Sequence, residues 1–479
     1  MVSSAIESRL NAFDAIYERR SVRTFDKGRK IPDDILSKII DSARYAPTTP
    51  DGIHPWRVVV CRDETTKALF AECGQEMARK TFGGSFEVFS QHIWYMPPDT
   101  RMRVAEYTTS GELWRYAEDA DAVLVPAISR GGWCGGLAGL LTNAELLAPY
   151  LGMASQNMWI TGAVFGVGAG YNAMTCVDVR RRQLVAQHLG STHSWDLEGA
   201  FAFGYSPGLR TSGPSRGPLE AIVFSERWGA PYERAAFRNA ASGLKMPEAN
   251  IFYCMKNLNL VKNFKPGKVD DWQVERVVDS AVWGPDPENV KHWRYLVVRN
   301  PDSKRFLNDL VSEKKHIAFY FNDFEAQAAR LWYVKEEDRM AKVEQVMEEG
   351  LGQWYRTADT MIIVVAAGHN WLETPYMQQT TAGANPVFEL ATGCSAQNMM
   401  LAATALGLGV HFDPTPVSDT RTKELLHEYF GIPHAWHPIG VLCLGEAGDK
   451  LERRPPPPAE SLFFQEYWGN PLPSMGYSI

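Results

Sequence analysis

Cysteine is scarce in this sequence, and the cysteines form no pattern. Seven cysteines are scattered over 479 residues, and no two form a C-x-x-C pair. Their odd number and wide spacing support neither a disulfide framework nor a structural zinc site. Scattered free thiols are typical of a reducing compartment, so we expect a cytoplasmic protein.

Long hydrophobic runs are also missing. The most apolar window covers residues 158–170, and its 13 residues are too few to span a bilayer. We interpret this window as a buried core helix. The first twenty residues carry charges where a signal peptide needs its apolar stretch. The sequence therefore predicts neither a membrane segment nor a secretion signal.

Positive charge is not in excess. The chain has 49 Lys and Arg against 56 Asp and Glu, a formal charge of −7, so we expect no general attraction to nucleic acid. The 11 histidines show no paired metal-ligand spacing, and we expect no metal. No P-loop motif is found, which disfavours nucleotide hydrolysis.

The sequence does contain one set of landmarks twice. Its members are separated by 237 to 241 positions: Phe25 and Phe264, Trp56 and Trp293, Asn157 and Asn398, Trp228 and Trp468. A repeat of this length predicts two fused globular domains, not a solenoid. We expect copy one at residues 1–235, a linker at 236–249 and copy two at 250–479.

Both copies have the same order of predicted elements. Acidic residues begin an early helix in each copy, at 33–34 and 270–271. β-Branched runs predict buried strands at 58–60, 122–125, 296–298 and 361–365. A long helix in each copy carries a Gln-Asn pair and ends at a glycine turn. Strands mixed with long helices predict an α+β layer fold.

A basic segment, RRSVRTF at residues 19–25, is the clearest chemical motif. It brings Arg19, Arg20, Ser21 and Arg23 within five positions. Guanidinium groups are permanently charged and offer forked donors, which suit a phosphate. Clustered charges are also common in solvated turns at helix ends. The segment alone leaves both interpretations open.

The order of the motifs resembles the FMN-dependent nitroreductase family. The basic segment is followed by APTT at 46–49, PW at 55–56, QN at 156–157 and G-x-G at 166–168, and copy two repeats the last pair at 397–398 and 407–409. The resemblance covers nearly the whole chain. It implies an α+β nitroreductase-like fold whose two copies form an intramolecular pseudo-dimer, compatible with a monomeric chain.

The resemblance also implies which residues of copy one bind FMN. Arg19 and Ser21 are expected to hold the phosphate and the ribityl chain, and Arg20 belongs to the same cofactor-binding segment. Arg23 is expected beside the N1–C2=O edge of the ring, where a cation stabilises the reduced flavin. Arg216 is expected to be a further phosphate contact.

Two loops complete the expected site. The loop that contains Ala173 and Met174 is expected to approach flavin N5 through backbone N–H groups. Copy two is expected to contribute the remaining contacts, from Pro285, Asp286, Pro287 and Asn289. The flavin would therefore lie between the copies.

Copy two departs from the family pattern where a second phosphate would bind. It carries Leu258 in place of Arg19, Leu260 in place of Ser21 and Lys262 in place of Arg23. Leucine cannot pair with a phosphate dianion, and burying that charge without partners is very unfavourable. We therefore expect one FMN per chain, with copy two completing the site of copy one.

The resemblance implies a flavin-dependent oxidoreductase. Hydride or electrons would pass between NAD(P)H, or an organic substrate, and an acceptor such as a nitroaromatic, a quinone or a specialised metabolite. Two alternatives are an FMN-dependent oxidase or dehydrogenase that desaturates a specialised substrate, and a non-catalytic FMN-storage protein. Aromatic stretches at 83–103 and 319–333 are interpreted either as a lid or as packing helices.

Overall fold

The structure is a computed structural model that contains two six-stranded sheets. It describes residues 10–48, 54–82, 86–92, 96–129, 137–208, 218–232, 248–287, 292–312, 335–341, 353–368, 387–418, 420–448, 456–473 and 478–479.

Helices and strands alternate irregularly along copy one. They are α1 (Ala12–Glu18), α2 (Asp33–Ala43), β1 (Trp56–Cys61), α3 (Glu64–Phe82), α4 (Phe86–His92), α5 (Pro98–Thr109), α6 (Tyr116–Asp119), β2 (Ala122–Ser129), α7 (Leu137–Val164), β3 (Gly168–Asn172), α8 (Met174–Val177), α9 (Val179–Leu189), β4 (Trp195–Leu197), β5 (Ala200–Gly204) and β6 (Val223–Ser225).

Copy two repeats this order with small changes. Its elements are α10 (Ile251–Lys256), β7 (Phe264–Lys265), α11 (Asp271–Ala281), β8 (Trp293–Val298), α12 (Pro301–Ser312), α13 (Gln353–Thr357), β9 (Thr360–Ala367), α14 (Val387–Ala405), β10 (Gly409–Asp413), α15 (Thr420–Phe430), β11 (Trp436–Ala447), α16 (Ala459–Leu462) and β12 (Phe463–Gln465).

The helix boundaries follow the chain's local chemistry. Asn11 caps α1, and Asn250 caps α10; each side-chain oxygen accepts from the first free amides of its helix. The two caps also pair with each other across the copies. In α2, Asp33 and Asp34 occupy the first turn, and an apolar face is buried. The sequence features that predicted these helices therefore also determine where they begin.

Each sheet receives one strand from the other copy. The first sheet has the order β12-β1-β2-β5-β3, with β4 beside β2, and the second has the order β10-β11-β9-β8-β6, with β7 beside β11. The strand β12 of copy two pairs in parallel with β1, and β6 of copy one pairs in parallel with β8. The sheets therefore do not follow the predicted sequence boundary at residue 235.

Two glutamates anchor the exchanged strands. Glu226 and Glu466 follow β6 and β12, and both adopt the left-handed conformation, with φ of 64° and 61°. The Glu466 side chain accepts from the amide of Arg62, and the Glu226 side chain accepts from the amide of Arg299. Each exchanged strand thus joins the start of a helix in the other copy.

The long helices α7 and α14 pack against each other at the centre. Gln156 donates to Asn398 at 2.8 Å, and Gln397 donates to Asn157 at 2.9 Å, which is the same contact twice about a pseudo-two-fold axis. Asn157 and Asn398 donate in turn to the carbonyls at the ends of α2 and α11. Both Gln-Asn pairs therefore lie on paired helices at the interface between the copies.

The hydrophobic core has three parts. The largest cluster is shared by both copies and surrounds α7 and α14, so the copies bury a common centre. Two smaller clusters lie on the outer faces of the sheets, one against each sheet. The joint core accounts for the pseudo-dimer, because neither copy encloses the large cluster alone.

The interpretation of residues 158–170 as one core helix is wrong in its second half. α7 ends at Val164, Gly166 follows with φ of +74°, and β3 begins at Gly168. A residue with a left-handed backbone ends a helix, and glycine takes that conformation without strain. In the described part of the first aromatic stretch, α4 and α5 are helical. The second stretch, 319–333, and most of the predicted linker lie outside the described residues.

Candidate functional site

The basic segment lies along β3, and glycines make this approach possible. The Val22 amide donates to the Ala169 carbonyl at 2.8 Å, and Ser21 pairs with Ala169. A Cβ at Gly168 would lie 2.7 Å from the Val22 side chain, and a Cβ at Gly170 would lie 2.4 Å from the Val22 carbonyl oxygen. The alternating glycines of β3 therefore hold the backbone of the basic segment in place.

Arg19 turns its side chain towards the other copy. Arg19 is 1% exposed, and its guanidinium lies 4.7 Å from the ring centre of Trp159 on α7. Its Nη2 donates to the Trp283 carbonyl of copy two at 2.9 Å. Arg19 thus joins the two copies. Its expected contact with a phosphate remains a prediction.

Arg20 contacts the same residue of copy two. Its guanidinium lies 5.1 Å from the ring centre of Trp283, and it also donates to the carbonyls of Tyr17 and Arg19. Burial lowers the pKa of Arg20 from its ordinary value. An arginine stays charged after such a shift, so the segment keeps a strong positive potential beside copy two.

The donor set of the basic segment fits a bound anion. The Nε atoms of Arg20 and Arg23 are buried, and neither has a hydrogen-bond partner among the described residues. A buried donor without an acceptor is costly, and a phosphate or a carbonyl-rich ring edge would supply acceptors. Burial also raises the pKa of Tyr116, against the opposing charge of the nearby Arg23. These residues therefore fit FMN at this place.

The loop after β3 differs from expectation at one amide. The Met174 N–H donates to the Asn172 side chain at 3.1 Å, and the Met174 side chain is buried. That amide therefore has an acceptor within the loop itself. Ala173 is half-buried beside it. A flavin contact of this loop remains a prediction.

Copy two presents its loop beside the basic segment. Pro285 is buried, and Pro287 is half-buried. Asp286 lies inside the loop, with its Oδ1 3.6 Å from His292 Nδ1 and its side chain 3% exposed. Gly284 packs so tightly that a Cβ would lie 2.4 Å from the Ser395 hydroxyl. The loop therefore has a defined position at the copy interface.

The remaining predicted contacts cannot be placed. Arg216 and Asn289 lie outside the described residues. The structure brings together the part of the site that contains Arg19, Arg20 and the start of the copy-two loop.

The equivalent place in copy two has no such cation cluster. Leu258 is 2% exposed and packs in the central cluster, in the position that Arg19 occupies in copy one. Leu260 pairs with Val410 as Ser21 pairs with Ala169, which confirms the alignment of the two segments. Lys262 is exposed. The arrangement supports the expected loss of a second phosphate site.

Sequence reasoning missed three aromatic residues of this site. Arg19 donates to the Trp283 carbonyl, and the Arg20 guanidinium lies over the Trp283 ring. Trp159 lies beside Arg19, and the Tyr17 ring lies 5.2 Å from the Trp283 ring. A signal was present for Trp283, which directly precedes the Gly-Pro of the predicted ring-contacting loop. Nothing in the sequence indicates that these three residues lie around the two arginines, because they come from three separate elements.

Comparison with known proteins places the chain in a family. A sequence model of the nitroreductase family matches residues 16–131 and 260–446. These two regions cover most of the chain, one in each copy. The protein therefore belongs to the nitroreductase family, in a tandem-duplicated form.

Individual relatives are distant. A Bacillus subtilis protein, provisionally named an NAD(P)H nitroreductase, is 22% identical over 199 residues, which are 41% of this chain and 88% of that protein. A Thermus thermophilus protein named NADH dehydrogenase is 24% identical over 103 residues, which are 22% of this chain and 47% of that protein.

Two solved structures are similar to part of this chain. A nitroreductase with bound FMN from Bacteroides fragilis has 18% identity and a TM-score of 0.29, over 43% of this chain and 95% of that chain. NfrA1 of B. megaterium has 14% identity and a TM-score of 0.33, over 46% of this chain and 76% of that chain.

Family membership confirms the predicted fold class and the predicted duplication. It makes the protein an enzyme of the flavin oxidoreductase class. Among the described residues, no helix combines the length and the apolar character needed to cross a membrane.

Proposed function

We propose that the protein is an FMN-dependent oxidoreductase with one flavin site per chain, built by the basic segment of copy one and the 283–287 loop of copy two. NAD(P)H is the proposed reductant, and a nitroaromatic, a quinone or a related organic molecule is the proposed acceptor. The names of two relatives, an NAD(P)H nitroreductase and an NADH dehydrogenase, support a nicotinamide donor.

The proposal rests on the difference between the basic segment of copy one and the equivalent segment of copy two. In copy one, Arg19 and Arg20 contact Trp283 of copy two. The buried Nε atoms of Arg20 and Arg23 have no hydrogen-bond acceptor among the described residues. In copy two, the Arg19 position is a buried leucine. A phosphate dianion needs cations and donors, and only the copy-one segment offers them.

The chain's own residues then have simple tasks. When bound, FMN supplies hydride and electron transfer at its ring. Arg19 and Ser21 are proposed to hold the phosphate end, with Arg20 beside them, and Arg19 also joins the two copies through the Trp283 carbonyl. Arg23 is proposed to place a fixed positive charge beside the ring edge that becomes negative on reduction. The 283–287 loop, with its buried Pro285, is proposed to cover the ring and exclude water.

Two matched variants test the cofactor site. Arg23→Ala removes the cation of copy one, and Lys262→Ala removes its counterpart in copy two. Losing one charged hydrogen bond costs about 1.5–3 kcal/mol, so we expect Arg23→Ala to weaken FMN binding by roughly 10- to 100-fold. Lys262→Ala is expected to bind FMN like the unaltered protein.

The measurement is a flavin fluorescence titration of the apoprotein, followed by addition of NADH or NADPH. Equal FMN affinity in both variants would overturn the assignment of the site to copy one. Bound flavin that keeps its visible absorbance with either nicotinamide would contradict the proposed reductant.

A further inference from the structure

Trp283 of copy two is enclosed by the basic end of copy one. Arg19 donates to its carbonyl at 2.9 Å, the Arg20 guanidinium lies 5.1 Å from its ring centre, and the Tyr17 ring lies 5.2 Å from it. We name these four residues the Trp283 clamp. Two of the four also belong to the segment that is proposed to bind the phosphate.

Hydrogen bonds between Tyr17 and two residues of α11 support the Trp283 clamp. The Tyr17 hydroxyl donates to Asp279 at 3.0 Å, and Arg276 donates to the Tyr17 hydroxyl at 3.3 Å. Asp279 and Arg276 lie on α11, the helix that leads into Trp283. Tyr17 is therefore held against the element whose next residues it contacts, which keeps the Trp283 ring in one orientation.

Trp283 is joined rigidly to the loop that is proposed to cover the flavin ring. The Trp283 amide donates to the Ser280 carbonyl at 3.3 Å, and the Gly284 amide donates to the Ala281 carbonyl at 3.0 Å. Gly284 packs against Ser395, and the buried Pro285 follows directly. A shift of Trp283 must therefore shift Pro285.

The equivalent place on the other side of the pseudo-dimer is built differently. Tyr45 takes the position of Trp283, because its amide donates to the Ser42 carbonyl at 3.3 Å as that of Trp283 does to Ser280. Its neighbour is Lys256, with Nζ 5.9 Å from the ring centre. Asn259, which replaces Arg20, donates to the Leu408 carbonyl. The clamp is thus specific to the copy-one site.

We propose that Trp283 is a positioning residue for the flavin site: it couples the segment that binds the phosphate to the loop that covers the ring. This inference rests on the proposed function. Binding of FMN at the basic segment would then hold the loop of the other copy in place, so both copies contribute to one affinity.

The test uses Trp283→Leu, the conservative Trp283→Tyr and the matched control Tyr45→Leu, all in the full chain. FMN affinity is measured by fluorescence titration of each apoprotein, and ring orientation by visible circular dichroism of the bound flavin. Losing two aromatic contacts should weaken FMN binding about tenfold in Trp283→Leu and change the flavin spectrum. Trp283→Tyr should restore most of the affinity, and Tyr45→Leu should bind like the unaltered chain.

The thermal midpoints of the apoproteins separate positioning from general stability. We expect Trp283→Leu and Tyr45→Leu to lower the midpoint by similar amounts, while only Trp283→Leu loses FMN affinity. If both variants weaken FMN binding equally, or if Trp283→Leu binds as tightly as the unaltered chain, the positioning role is overturned. If the unaltered apoprotein binds no FMN, the proposed function itself fails, and the positioning role fails with it.

Discussion

Arg19 illustrates that neighbouring arginines in one motif take different tasks. Its side chain is buried between Trp159 and the carbonyl of Trp283, to which its Nη2 donates, whereas the Arg20 guanidinium lies over the Trp283 ring. A buried guanidinium that joins two copies is a structural group as well as a charge. Replacing Arg19 is therefore expected to disturb the copy interface, which makes Arg23 the cleaner probe of cofactor binding.

His54 lies buried at the start of β1 and gives a pH prediction. Burial, together with the smaller effect of the charges of Arg57 and Arg44, lowers the pKa of His54 from 6.5 to about 4. The unfolded chain binds this proton more readily, so the free energy of unfolding should fall as the pH drops from 6.5 towards 4. The loss attributable to His54 is up to about 3 kcal/mol.

The measurement is urea unfolding of His54→Gln at pH 7 and pH 4.5, with His193→Gln as the exposed control. His54→Gln should lose less stability between the two pH values than the unaltered chain, and His193→Gln should lose the same amount. An unchanged pH dependence in His54→Gln would contradict the buried neutral imidazole.

At the scale of single residues, the sequence predicted where the charged residues of the site lie better than it predicted which residues surround them. Spacing alone marked Arg20 and Arg23, because cations within a short segment share one location. It did not mark Trp283 or Tyr17, since their contact depends on how α1 and α11 meet across the copies. The partner of the Met174 amide was missed for a similar reason: it is a local side-chain oxygen, Asn172.

Two glycines set the crossing of α7 and α14. A Cβ at Gly152 would lie 2.0 Å from the Leu390 carbonyl oxygen, and a Cβ at Gly393 would lie 2.3 Å from the Pro149 carbonyl oxygen. These are backbone atoms in the centre of the core, so neither can move aside as a flexible side chain would. The close crossing brings the Gln-Asn pairs within hydrogen-bond distance.

We expect Gly152→Ala and Gly393→Ala each to lower the free energy of unfolding by about 1–3 kcal/mol, because each methyl group overpacks the crossing. Gly162→Ala on α7 is the milder comparison: its Cβ would lie 3.0 Å from the Val167 carbonyl oxygen, so we expect a smaller loss than at Gly152. Urea unfolding measures all three. Equal effects at Gly152 and Gly162 would show that the crossing is not tightly packed.

At the scale of elements, the strands and long helices were predictable from periodicity. The buried β-branched runs became β1, β2, β8 and β9 because a strand covered on both sides needs apolar residues throughout. The glycine turn that ends α7 at Gly166 was predicted, but the strand β3 directly after it was not, since apolar residues continue past the helix end. The exchange of β6 and β12 was not predicted, because pairing partners leave no mark on such short strands.

For the whole molecule, the strand exchange implies that the copies hold together without their connection. β6 completes the sheet of copy two, β12 completes the sheet of copy one, and the largest core cluster is common to both. A protease site inserted in the predicted linker, residues 236–249, should therefore yield two pieces that still elute as one particle in size-exclusion chromatography. Pieces that separate in native buffer would contradict a pseudo-dimer held by exchange and a joint core.

In the function proposed above, one chain with two nitroreductase copies has a single flavin site. The most direct measurement is the ratio of released FMN to protein chain after the purified protein has been saturated with FMN and freed of excess. We expect one FMN per chain, because Leu258 occupies the place of Arg19 in copy two. A ratio of two would contradict it, because a second phosphate would then bind where leucine replaces arginine.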